Sequence, residues 1–205
     1  MPAGHGDQVY LLKFSADGNY LFSVGTGAKI VKVWDTKSGN LLKNIPVENF
    51  PTCMQVSSDG KMLIIGTKKE VYILGFPSFI FLHKVSHGAT DAVIGNNTLY
   101  FTSGETVISS IDLKTFAENT LYNGGDAQLL SLSPNGENLF IISTFNTLVL
   151  DLKNGKIKNQ NQQEIGTSAI GYTPVGNIFG FNNSTKKGDW VGLPVIINPE
   201  TGKRL

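Results

Sequence analysis

Residues Phe14–Leu42 read FSADGNYLFSVGTGAKIVKVWDTKSGNLL. Asp17-Gly18 is a tight-turn pair, because glycine enters the left-handed region without a Cβ penalty. An alternating apolar run follows, then a short turn at Gly25–Lys29, a second alternating run ending at Trp34-Asp35, and a third turn at Lys37-Ser38-Gly39. Period-2 alternation between turn residues predicts short β-strands joined by hairpins. Whether this is one run of hairpins or one copy of a repeated unit decides the architecture.

The unit recurs. Asp59-Gly60 lies 42 residues after Asp17-Gly18 within VSSDGKMLIIG, and Asn135-Gly136 lies 76 residues after that within LSPNGENLFIIS. Midway, IGNNTLYFTSG carries Asn96-Asn97, and asparagine tolerates positive φ well enough to make the same turn. YTPVGNIFGF supplies a fifth turn at Val175-Gly176. A second marker keeps the same beat, with strands that end at Asp35, Asp112 and Asp151, while VYILGFPSFIFL and VIINPETGKRL fill the two remaining slots. The chain therefore divides into five units of about 40 residues, with four short strands in each and no helical segment between them.

A four-stranded sheet of this pattern has two apolar faces and cannot cover both itself. Packing such sheets face to face around an axis covers them, so the prediction is an all-β fold, a β-propeller of about five four-stranded antiparallel blades. The blades are expected near residues 5–46, 47–85, 86–121, 122–160 and 161–205 of a single domain. Three arrangements fit five units: a closed five-bladed ring, an arc completed by another chain, or part of a larger propeller. An open arc exposes two apolar blade faces, which makes self-association through them an expectation.

The totals agree with a packed globular domain. The chain has 205 residues, 40% hydrophobic and 16% charged, with a formal net charge of +1. Scattered basic residues give no electrostatic footprint for nucleic acid. No apolar run approaches the roughly 18 residues of a membrane span, and MPAGHGDQ lacks the basic and apolar regions of a signal peptide. The lone cysteine, Cys53, cannot form an internal disulfide and suits a reducing compartment. A cytoplasmic location is the expectation.

The first unit resembles a WD repeat. Gly4-His5 stands at the family's GH dipeptide, FSADG at its FSPDG, and Val33-Trp34-Asp35 at its terminal WD, while the other four units keep the turns and lose both dipeptides. The family's structural Asp before the last inner strand is Ala28 here. The resemblance therefore implies that His5 lacks its carboxylate partner and that packing holds this blade. LVLDLKNGKI and VIINPETGKRL are also similar to bacterial propellers of the YVTN and lactonase-like kind.

No catalytic signature stands out. There is no GxSxG, phosphate loop or HExxH, and GTGAKI lacks the third glycine of a dinucleotide fingerprint. His83 and His87 would share a face only on a helix, and their segment reads as strand and loop. The expectation is no catalytic residue, no metal and no cofactor. Two stretches suit partner binding. In GFPSFIFLHKV, Gly75 to Val85, Phe79 and Phe81 fall on one face and Ile80 and Leu82 on the other, with Pro77 blunting the strand edge. In NNSTKKGDWVG, Asn182 to Gly192, an insertion loop presents Lys186, Lys187, Asp189 and Trp190. The family's partner face also places Gln8, Phe50 and Asp126, of which Phe50 is the aromatic one. The reading is a non-catalytic protein-interaction scaffold with other proteins as partners. The alternatives are a lactonase-like hydrolase with a central-channel site, for which only Asp7, Glu70, Asp91, Glu105 and Asp126 lie in suitable loops and at positions that do not match from unit to unit, or a propeller binding sugars or another small ligand.

Overall fold

The computed structural model describes residues 4–103, 106–124, 127–143, 147–161, 166–186, 189–198 and 205. Side chains are described for all of these except 159–161, 166–170, 181–186 and 189–193. Among the described residues there are strands and turns and no helix. The first sheet holds β1 (Val9–Phe14), β2 (Tyr20–Gly25), β3 (Ile30–Asp35) and β4 (Leu41–Pro46), in that spatial order. The second holds β5 (Pro51–Val56), β6 (Met62–Thr67), β7 (Val71–Gly75) and β8 (Phe81–Val85). The third holds β9 (Ala89–Gly95), β10 (Thr98–Ser103), β11 (Val107–Asp112) and β12 (Glu118–Asn123). The fourth holds β13 (Ala127–Leu132), β14 (Asn138–Ser143), β15 (Thr147–Asp151) and β16 (Lys156–Asn161). The fifth holds β17 (Gly166–Tyr172), β18 (Ile178–Lys186) and β19 (Asp189–Ile197). Each sheet is an up-and-down antiparallel meander, so these are β-propeller blades, and the fold is the all-β one that the repeats predict.

The predicted turns are where the meander reverses. Gly18, Gly60, Gly136 and Gly176 all have φ between +69° and +85°, and Asn96 and Asn97 take +49° and +60° in place of a glycine. In three of these turns a serine locks the loop: Ser15, Ser57 and Ser133 donate to Asp17, Asp59 and Asn135 at 2.5, 2.6 and 2.7 Å.

The chain forms two compact units, Met1–Leu99 with Asp112–Ala117, and Tyr100–Ile111 with Glu118–Leu205. In the first, β1 lies beside β5 and β5 beside β9, so blades meet through their first strands. Phe22, Val24, Val31, Val33 and Ile45 of the first blade pack on Met54, Leu63, Ile65, Tyr72 and Leu74 of the second. Each fully buried large side chain in this contact contributes about 1.5–3 kcal/mol. In the second unit β13 lies beside β17, and Phe140, Ile142 and Val149 pack on Ile178 and Ile197. The second strand of the fourth blade is covered on both sides: β14, NLFIIS, is buried throughout, which is why it reads as a continuous apolar run instead of alternating.

Candidate interaction surfaces

The WD-like stretch builds a polar lock on the first blade. Trp34 Nε1 donates to Ser23 Oγ at 2.7 Å, and the hydroxyl lies 2.6 Å from His5 Nε2. With Trp34 as its donor, Ser23 keeps its own hydrogen for a neutral His5. Burial first, and Lys32 second, hold the His5 pKa below its ordinary value, which favours that neutral form. Packing is therefore not all that holds this blade: His5 lacks the carboxylate partner, as Ala28 implies, but it is bonded to Ser23 on β2. Gly25 makes room for the ring, since a Cβ there would lie 2.8 Å from His5 Nδ1.

The predicted Gly75–Val85 strip is also rearranged. β8 begins only at Phe81, so Phe79 and Phe81 do not share a strand face. Phe79 sits in the preceding turn at φ +58°, its N–H bonded to the Gly75 carbonyl at 2.6 Å. Its ring packs edge-on to Phe76 at 5.5 Å, with Lys43 Nζ 5.0 Å from its centroid. Phe79 is thus turned onto the first blade and is not a free anchor. Pro77 lies in the same turn and blunts no edge strand. Phe81 remains 52% exposed beside Ile80 and Leu82, with Tyr72 edge-on at 6.3 Å.

Phe116 repeats the Phe79 arrangement one blade later. It too has φ +58°, bonds its N–H to the Asp112 carbonyl, and stacks on His83 at 4.8 Å with planes 3° apart. Gly39 and Gly155 hold the equivalent turns of the first and fourth blades through the same bond, to Asp35 and Asp151. Lys43 and His83 each lie four residues beyond the left-handed position of their own blade. Each phenylalanine therefore clips its blade onto the equivalent outer-strand residue of the blade before. Sequence reasoning missed both because it expects glycine at such turns.

The remaining expected residues fall as follows. Phe50 lies between β4 and β5, half exposed, with Lys29 Nζ 5.4 Å from its ring centre. Among the described residues of the 182–192 stretch, β18 and β19 stay paired, with Thr185 opposite Trp190 and Lys186 opposite Asp189, where the sequence suggests a loop insertion. Lys187 lies outside the described residues, as do the side chains of Lys186, Asp189 and Trp190. Glu105 and Asp126 also lie outside them. Glu70 is tied to Asn49 at 2.7 Å, to Tyr72 at 3.0 Å and to Lys84 at 3.1 Å, a set of contacts that braces β7 and β8. Among the described residues no three His, Cys, Asp or Glu side chains form a group able to hold a metal ion.

One surface was not foreseen. Leu12 pairs with Ser23 and Phe14 with Leu21 in the first blade, the register positions that Met54–Ile65 and Val56–Leu63 occupy in the second. Met54 is only 5% exposed and Val56 is packed against the first blade, whereas Leu12 and Phe14 are 61% and 59% exposed. Ile30, which alternates with the buried Val31, is exposed as well. The face that covers a neighbour in the second blade is thus largely open to solvent in the first. The alternation of QVYLLKF carries the signal, but only register shows that the positions covered in the second blade are exposed here among the described residues.

Known proteins agree with this geometry. No protein-family model matches the chain. An uncharacterized WD repeat-containing protein of Synechocystis sp. is 36% identical over 64 residues, which is 31% of this chain and 18% of that protein's length. The chain thus covers under a fifth of that relative. Among solved structures, the fold is similar to Kuenenia stuttgartiensis hydrazine synthase with a TM-score of 0.81 at 18% identity, over 100% of this chain and 69% of that one. At that identity the likeness concerns the fold alone.

Proposed function

We propose that this protein is a non-catalytic, WD-like β-propeller that works as a protein-interaction platform. The observation that carries the reading is the open face at Leu12, Phe14 and Ile30, where the equivalent residues of the next blade are covered. Exposed apolar surface on a rigid sheet is characteristic of interfaces. The WD-repeat likeness supports protein partners, and the open face supports self-association through blade faces when no partner is present. Phe50 and the Ile80–Leu82 strip are further exposed apolar side chains.

The mechanism is rigid presentation: the turns and the inter-blade core fix the strands, so binding orders few side chains. The same reading leaves out nucleic acid, on a net charge of +1, and membrane insertion by a helix, since no helix among the described residues is long and apolar enough to cross. It places the protein in the cytoplasm, a setting that the single free Cys53 supports. The test is dye binding and solution mass with Leu12→Lys and Phe14→Lys together. The reading expects the native chain to bind an apolar-surface dye and to associate, and expects the double variant to lose both while keeping its β-sheet spectrum. A native chain that does neither overturns it.

A further inference from the structure

The fourth and fifth blades enclose a cleft of about 450 Å³ within the second unit. Its walls are the turns Ser133–Gly136 and Thr173–Gly176 with the side chains of Asn138, Tyr172, Asn177 and Asn198. That volume lies in the range of small-molecule sites, about 300–1,000 Å³. Asn138 opens β14 opposite Asp151, the register position held by Tyr20 opposite Asp35 in the first blade. There, Tyr20 packs edge-on to Phe76 at 5.0 Å and aromatic rings fill the space between blades. Here a carboxamide takes the tyrosine's place.

Asn138 is 8% exposed, and its Oδ1 accepts no hydrogen bond. A buried acceptor without a donor costs about 1–3 kcal/mol, so it is a standing demand for a donor from the cleft. Ser133 and Asn135 do not meet it, being engaged in the turn: Ser133 donates to Asn135 and accepts from the Asn138 N–H, while Asn135 donates to Glu137. Among the described residues the wall contains amides and hydroxyls that both donate and accept, three short apolar surfaces at Pro134, Pro174 and Val175, and no charged side chain. An ionic ligand would lose its hydration without gaining a counter-charge. A purely apolar one would seal Asn138 Oδ1 away unpaired.

We propose that this cleft binds a neutral polyhydroxylated small molecule of the sugar or cyclitol class, with a ligand hydroxyl donating to Asn138 Oδ1 and Tyr172 and Asn177 reading neighbouring hydroxyls. The cleft belongs to the second unit and shares no residue with the open face of the first blade.

The experiment is saturation-transfer NMR on the full chain with glucose, galactose, maltose, N-acetylglucosamine and myo-inositol as probes, and glucose 6-phosphate as the charged comparison. At least one neutral probe is expected to receive saturation. Val175→Trp, at an 82% exposed rim position, is expected to block it without touching the core, and Tyr172→Phe to weaken it about tenfold, the equivalent of one hydrogen bond. Asn138→Leu is expected to abolish the signal and, by removing the buried unpaired acceptor, to leave the melting temperature unchanged or raised. The proposal is overturned if no neutral probe binds, leaving water as the only occupant. It is equally overturned if the phosphate binds as well as the neutral sugars, or if Val175→Trp and Tyr172→Phe leave binding intact.

Discussion

Replacing Phe79 and Phe116 separately by glycine tests the clip between blades. Both residues hold φ +58°, so the backbone contributions are common to the two variants. Each regains about 1–2 kcal/mol of left-handed strain and loses about 0.5–1 kcal/mol to the freer unfolded chain. The side-chain contributions differ. Phe79 loses its edge contact with Phe76, about 0.5–1.5 kcal/mol, its cation–π contact with Lys43, about 0.5–1 kcal/mol, and its packing against the inter-blade core. Phe116 loses one stack, on His83. Phe79→Gly is therefore expected to destabilise by about 1–2 kcal/mol more than Phe116→Gly, whose net effect is close to zero. For a chain of this length that difference is about 2–8 °C in melting temperature. Parallel urea and thermal melts followed by circular dichroism measure it. Equal losses, or a larger loss for Phe116→Gly, refute the reasoning, because then backbone strain and not contact with the preceding blade sets the cost.

Further outcomes follow from the same geometry. Ser23→Ala leaves Trp34 Nε1 and His5 Nε2 without their shared partner and is expected to cost about 1–3 kcal/mol, with Ser23→Thr restoring most of it, read as urea midpoints. Because the folded His5 pKa is lowered, its contribution is complete above the unfolded value near 6.5 and declines as the unfolded chain takes up a proton below it. Asp17 and Asp59 are held below the usual carboxylate range chiefly by the Ser15 and Ser57 hydroxyls, and Asp35, Asp112 and Asp151 chiefly by turn N–H groups. Their contribution is present above the unfolded carboxylate pKa and lost as pH falls through the folded one, so a urea midpoint plotted against pH should drop below about pH 4. Burial, with Asp91 second, pushes the Cys53 thiol up to about 12. A thiol reagent at pH 8 is expected to leave Cys53 unmodified in the native chain and to label it promptly in urea.

The blades were legible because their turns need unusual backbone. A glycine or asparagine at positive φ recurs at Gly18, Gly60, Asn96-Asn97, Gly136 and Gly176, and the short apolar or alternating runs between them mark the strands. The clip was hidden for the converse reason: Phe79 and Phe116 occupy left-handed positions that other blades give to glycine, so they read as strand residues. Ser23 was hidden because it interrupts an apolar strand as any small core residue might, and only the sheet brings it to His5 and Trp34, residues 18 and 11 positions away. The stretch 182–192 reads as a loop from its Asn, Ser, Lys and Gly content, yet its described residues, 182–186 and 189–192, pair along β18 and β19. The open face could not be read at all without register, because Leu12 and Met54 look alike until one is seen covered and the other not.

Light scattering behind a sizing column, over a wide range of concentrations, tests the central claim most directly, run for the native chain beside Leu12→Lys/Phe14→Lys. The account predicts that the native mass rises above 22.2 kDa with concentration and that the double variant stays at 22.2 kDa with its fold intact. A native chain that holds 22.2 kDa at every concentration, indistinguishable from the variant, contradicts a blade face built for docking.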